Sequence, residues 1–255
     1  MPQTVSIKPN YKEQINGNNL LLSRSERCTD ACITNTLHTS SNSRLEYTYL
    51  CYGSRSRVSV LMNRAFRVLI KEIGNCQICA DHFEHEPNPI FQLSPKASVL
   101  VAGQAPGRKA HKSGIPFNDP SGDRLRDWMG VSLEMFYDAD KIAILPMGFC
   151  FPGHGRTGDL PPRRECAPAW RQQVLDMMPN IQLTLVIGSY AIDWHLGPQK
   201  KHNLTDVVRA WKSHAPAIIP LPHPSPRNNV WLRKNAWFER DVLPALRARV
   251  SDCLS

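Results

Sequence analysis

Long apolar runs are missing from this chain of 255 residues. No stretch approaches the roughly 18 apolar residues that a membrane span needs. The N-terminus lacks the charged, then apolar, then small-residue pattern of a secretory signal. A soluble protein of the cytoplasm, with no membrane partner, is the expectation. A Walker A loop is absent too, which removes the commonest phosphate-loop reading. No segment repeats at a fixed period, so a solenoid or array is excluded. Acidic residues are the scarcer charged class: 31 Lys and Arg stand against 22 Asp and Glu, a formal charge of +9. That balance suits a polyanionic partner, because neutralising phosphates releases counterions and drives binding. Nothing calls for an obligate oligomer, so a monomer is expected.

Eight cysteines are present, and without an export signal they do not read as a disulfide framework. Metal or cluster ligation is the better reading wherever the spacing supports it. Residues 1–61 are polar, with segments such as Asn16-Gly17-Asn18-Asn19 and no sustained period. They read as a disordered N-terminal extension, or as sequence upstream of a true start at Met62. Cys28 and Cys32, inside this part, read as free thiols. Residues 62–255 form the expected domain.

From Met62 onward the pattern changes. Apolar positions from Arg64 to Ile73 suit one short helix. Four brief apolar runs follow, Ser98–Ala102, Ile142–Met147, Leu183–Ile187 and Ala217–Leu221. Helical patterns fall at Asp123–Met129, Cys166–Met178, Tyr190–His195, Leu204–Trp211 and Glu239–Val250. Short continuous apolar strands alternating with helices predict an α/β three-layer sandwich around a mainly parallel four-stranded sheet. Ligand sites in such sheets lie beyond the C-terminal strand ends.

Cys76 and Cys79 form a CxxC after the first helix, Cys150 follows the second strand, and Cys166 comes 16 positions later. Four thiolates in two pairs can hold zinc or an iron–sulfur cluster; ordinary buried cysteines are the third possibility. Spacing alone leaves all three open. Cys253 reads as a bystander.

Two loops at strand ends stand out. The first carries Gly103-Gln104-Ala105-Pro106-Gly107 and, further on, Gly114-Ile115-Pro116-Phe117-Asn118-Asp119. Its glycines let backbone approach a ligand closely, and Phe117 offers a flat face for stacking. The second is His223-Pro224-Ser225-Pro226-Arg227-Asn228, in which two prolines hold the histidine in a defined place.

Gly103–Gly107, the Gly-x-Pro-Phe segment at 114–117 and His223-Pro224-Ser225-Pro226 resemble the motifs of the uracil-DNA glycosylase superfamily. The spacing of Cys76, Cys79, Cys150 and Cys166 is similar to its iron–sulfur branch, family 4. The likeness runs from about Asn75 to Val250. It implies the fold of that superfamily, a 4Fe–4S cluster on the four cysteines (zinc being the alternative) and DNA as partner. It also implies base flipping followed by cleavage of the glycosidic bond in base excision repair, by a monofunctional enzyme. In this resemblance His223 donates to a carbonyl oxygen of the leaving uracil, and backbone amides around Gln104 and Ala105 hold the base against Gly103. Phe117 stacks on it and Asn118 reads its edge. Ser225, Arg227 and Asn228 contact DNA. The chain departs from the pattern at Gln104, where family 4 has Glu, and at Pro146, where many members read uracil with Asn. Proline has no side-chain amide to tell uracil from cytosine. A nucleic-acid-binding protein of the same fold, with altered catalysis, is therefore the alternative. Asp119 is a candidate for orienting water.

Overall fold

Strands with no polar face need cover on both sides, and the apolar runs obtain it. The computed structural model describes residues 32–34, 49–51, 55–156, 158–198 and 203–255. The chain divides into two compact units, Met1–Leu61 and Met62–Ser255. In the first, β1 (Cys32–Thr34) pairs antiparallel with β2 (Tyr49–Cys51), Cys32 opposite Cys51. Most of the segment expected to be disordered, Cys28 included, lies outside the described residues. Helix α1 spans Arg55–Gly74.

In the second unit β3 (Val99–Ala102), β4 (Ile142–Ile144), β5 (Leu183–Ile187) and β6 (Ile218–Leu221) form one parallel sheet in the order β4-β3-β5-β6. Leu100 lies opposite Ala143 on one side and Thr184 on the other, and Leu185 opposite Ile219. The fold is the expected α/β sandwich with helices on both faces. Period-two alternation divides the strand residues between the layers. Val99 and Val101 pack with Trp128, Phe136, Phe238 and Leu246 on one face. Leu100 and Ala143 pack with Phe66, Leu69, Ile73 and Val174 on the other.

The remaining elements are α2 (Arg108–Ser113), α3 (Pro120–Met129), α4 (Leu133–Phe136), α5 (Gln172–Asp176), α6 (Ser189–Leu196), α7 (Leu204–Arg209), α8 (Asn229–Lys234) and α9 (Leu243–Leu254). Three of these, α2, α4 and α8, are too short to show an apolar period and were not expected. The second strand stops at Ile144 instead of Met147, because Pro146 has no N–H with which to continue the ladder. The helix expected over Cys166–Met178 is a wide π turn at Ala167–Arg171 running into α5. A second π turn, Phe238–Val242, precedes α9. Among the described residues no helix is long and apolar enough to cross a membrane.

Candidate active site

All four strands of the larger sheet run the same way, so the loops that follow them emerge at one edge. Three of these loops enclose a cavity of about 530 Å³, lined among others by Gly103, Gln104, Ala105, Phe117, Pro146 and His223. The loops are laced together by backbone: Leu145 N donates to Val101 O (2.9 Å), Met147 N to Gly103 O (2.8 Å) and Gly148 N to Gln104 O (2.9 Å).

Phe117 sits at φ 54°, in the left-handed region that non-glycine residues rarely adopt. Such backbone persists only where surrounding structure over-determines it. Three contacts do so here. Arg126 Nη1 donates to Phe117 O (3.4 Å), Tyr137 OH donates to Pro116 O (2.9 Å), and the Phe136 ring meets the Phe117 ring edge-on at 6.1 Å. Helix α3 starts against the same residue. Asp119 caps it by accepting from Gly122 N (2.9 Å), with Pro120 at its first position. Gly122 must be glycine because a Cβ there would lie 1.7 Å from Phe117 O. Ser121, by contrast, is buried and lines the cavity. Asn118 is exposed and does not line the cavity.

His223 is held from both ends. Asn228 Nδ2 donates to its carbonyl (2.7 Å), and Arg124 Nη1 donates to Pro224 O (3.2 Å) and Ser225 O (3.1 Å). Ser225 N donates to His223 Nδ1 (3.1 Å). A ring nitrogen that accepts carries no hydrogen, so the proton of the neutral ring is on Nε2. Burial pushes the His223 pKa down, against the opposing pull of the Asp119 and Asp159 carboxylates. The ring is thus a neutral donor at pH 7, with a defined tautomer. Ser225, Arg227 and Asn228 all line the cavity, and a side chain at Gly158 would collide with the Arg227 guanidinium. Asn228, expected to contact DNA, is engaged in bracing its own loop.

Pro146 lies in the cavity wall, braced from behind by a residue the sequence did not single out. Arg171 has no exposed surface, and its Nη1 donates to Leu145 O (2.8 Å) and Pro146 O (3.0 Å). Its Nη2 stands 2.7 Å from His195 Nε2, which accepts as neutral imidazole. Burial pulls the Arg171 pKa down to about 9, and burial together with Arg171 pulls His195 down to about 4. The arginine is charged and the histidine neutral at pH 7.

The segment after Cys150 is also cavity wall, through Pro152, His154, Gly158, Asp159 and Leu160. Gly155 N donates to Gly158 O (2.6 Å) and Leu160 N to Gly153 O (3.0 Å), which closes a small hairpin. Its spacing Gly153-x-Gly155-x-x-Gly158 matches the dinucleotide fingerprint in letters, but the segment opens no helix. His154 Nδ1 stands 3.1 Å from Asp159 Oδ1.

Cys76, Cys79, Cys150 and Cys166 line one small pocket with Phe149 and Arg163. Trp170 Nε1 donates to Cys76 Sγ (3.3 Å) and Phe149 N to Cys166 Sγ (3.3 Å). Burial raises the thiol pKa of Cys79, of Cys150 to about 11 and of Cys166 to about 12, and the neighbouring cysteines add to each rise. Four soft donors, two of them receiving N–H groups, fit an anionic metal–sulfur group. Among the described residues no three His, Cys, Asp or Glu side chains are grouped to hold a single ion. Cys253 lies apart, buried in the core cluster with Val250 and Leu246.

Residues 90–247 match the family described as the uracil DNA glycosylase superfamily. The Type-4 uracil-DNA glycosylase of Sulfurisphaera tokodaii is 26% identical over 139 residues, 51% of this chain and 61% of that protein. The chain thus matches less than two thirds of that relative's length. A solution NMR structure of a candidate uracil DNA glycosylase from Methanosarcina acetivorans aligns with 62% of this chain and 94% of its own. Its identity is 14% and its TM-score 0.39.

Proposed function

Because the chain belongs to the uracil DNA glycosylase superfamily, we propose that residues 62–255 flip uracil, or another deaminated base, out of DNA and hydrolyse its N-glycosidic bond in base excision repair. The observation that carries this reading is the meeting of His223 and Phe117 on one cavity with the 103–107 loop. The C1′–N bond breaks with its electron pair leaving on the base, so negative charge grows on the base carbonyl oxygens and positive charge on the sugar. His223, neutral with its proton on Nε2, donates to one of those oxygens. Backbone amides at Gln104 and Ala105 add further donors, and Phe117 stacks on the ring. Donors held in place beforehand need no rearrangement as the charge develops. Ser225 and Arg227 present the histidine loop to DNA, and Asn228 keeps it in shape. The product is an abasic site, as for a monofunctional enzyme.

In this reading Cys76, Cys79, Cys150 and Cys166 hold a 4Fe–4S cluster. Such a cluster takes one thiolate at each corner, which suits four cysteines lining one pocket. When bound it supplies cross-linking and negative charge; the bond-breaking chemistry belongs to the cavity. Cys150 and Cys166 flank the hairpin that walls the cavity, so their tethering positions it.

The test is excision from oligonucleotides carrying uracil, hypoxanthine or xanthine. Release of at least one base, strongly slowed in His223→Ala, is the expected result; no release from any of them sinks the reading. Pro146 favours a second reading, a DNA binder of this fold without excision, and the same panel separates the two. Metal analysis should find iron and sulfide in brown protein, whereas stoichiometric zinc in colourless protein would overturn the cluster.

A further inference from the structure

Hydrolysis needs more than donors for the departing base. The sugar becomes cationic, and a water must reach C1′ and lose a proton. In this chain position 105 is alanine, so the 103–107 loop offers no carboxylate for either task.

Two other carboxylates reach the cavity. Asp119 and Asp159 both line it, and they approach the same stretch of backbone from different elements. A Cβ built on Gly107 would lie 3.4 Å from Asp159 Oδ2 and 3.9 Å from Asp119 Oδ2. His223 lines the same cavity, so the anionic wall and the imidazole face one space. The two acids differ in their commitments. Asp119 Oδ1 caps α3 through Gly122 N. Asp159 comes from the hairpin, and its Oδ1 stands against Nδ1 of His154, itself a cavity residue. That contact orients the carboxylate and leaves Oδ2 directed at Gly107.

We infer that Asp159, positioned by His154, is the carboxylate that faces the cationic sugar and takes the proton of the attacking water. The inference rests on the glycosylase reading above and assigns a residue within it. As the C1′–N bond breaks, its electron pair goes to the base. The water oxygen forms the new bond to C1′, and its proton passes to Asp159 and from there to solvent or the departed base. A preorganised carboxylate lowers this barrier by attraction to the developing positive charge and by accepting the proton. The hairpin is braced for the purpose, with Gln104 Nε2 donating to Leu160 O (3.4 Å).

Two measurements on the full chain test it, with Asp159→Asn as the main variant and His154→Gln as the second. The first is affinity for duplexes carrying a cationic pyrrolidine abasic analogue or its neutral tetrahydrofuran counterpart. The unmodified protein should prefer the cation about tenfold or more. Asp159→Asn should lose most of that preference while binding the neutral duplex as before; His154→Gln should lose part of it. The second is the single-turnover excision rate, which should fall about a hundredfold in Asp159→Asn and recover partly in Asp159→Glu. An unchanged preference for the cation in Asp159→Asn overturns the assignment, as does an unchanged excision rate. If the unmodified protein excises nothing yet shows a cation preference that depends on Asp159, the glycosylase reading fails while the anionic wall stands.

Discussion

In the proposed reaction His223 serves the departing base because burial keeps it neutral and Ser225 N occupies its Nδ1. Replacing it with alanine removes one held donor, so His223→Ala should slow single-turnover excision about a hundredfold to a thousandfold. Duplex affinity should change little, and a parallel loss of binding would point to a damaged loop instead. Pro146 poses the question of which base enters. Its carbonyl is held by Arg171, and a carbonyl is present whatever the side chain. Pro146→Asn should therefore keep the wall in place while adding an amide. The ratio of uracil to hypoxanthine excision should rise about tenfold, the worth of one hydrogen bond; an unchanged ratio would show that position 146 does not read the base. Phe117 and His223 could be named from the sequence because proline and glycine mark their loops. Asp159, His154, Arg171 and His195 could not. Each is an ordinary polar residue whose importance comes from what the fold sets beside it, as with Arg171 under the carbonyl of Pro146.

Helix α3 shows how an element can be constrained by what it abuts. Alanine normally improves a helix over glycine by up to about 1 kcal/mol, yet at position 122 its Cβ would meet the carbonyl of Phe117. Gly122→Ala should destabilise the protein by roughly 1–3 kcal/mol and displace the Phe117 ring, lowering excision. Chemical denaturation would read the first effect; a midpoint equal to or above that of the parent would contradict the packing described. The start of α3 was expected at Asp123, three residues late, because Asp119 and Pro120 signal a cap but carry no apolar period. The hairpin at 153–160 was missed for a related reason. Glycines and a lone Leu160 offer no alternation, and the segment is held by contacts such as Gln104 Nε2 to Leu160 O. The four strands, by contrast, were legible within a few residues, since an unbroken apolar run of that length has few other uses.

On the scale of the whole molecule, a buried cation next to a neutral imidazole ties stability to pH. The His195 pKa is near 4 in the folded protein and near 6.5 in an unfolded chain. Between those values the unfolded chain binds more protons, so stability falls as pH drops from about 6.5 to about 4 and levels off below. The loss from this residue is on the order of 3 kcal/mol. His195→Gln should flatten that part of the curve in thermal melts across the range; His223 and His111, whose pKa values are also lowered, retain a smaller slope. A formal charge of +9 should make duplex affinity fall steeply with added salt, and salt-independent binding would sink the reading of the basic charge as a phosphate-binding surface. The amino-acid sequence by itself determined the layer order, the strands, the four cysteines and the two loops flanking the sheet, because apolar period and turn chemistry are local properties. Only the tertiary structure decided that Phe117 and His223 share a cavity, which acids wall it and which cation holds its floor. Those depend on parallel strands bringing loops more than a hundred residues apart to one edge, and no local pattern encodes that distance.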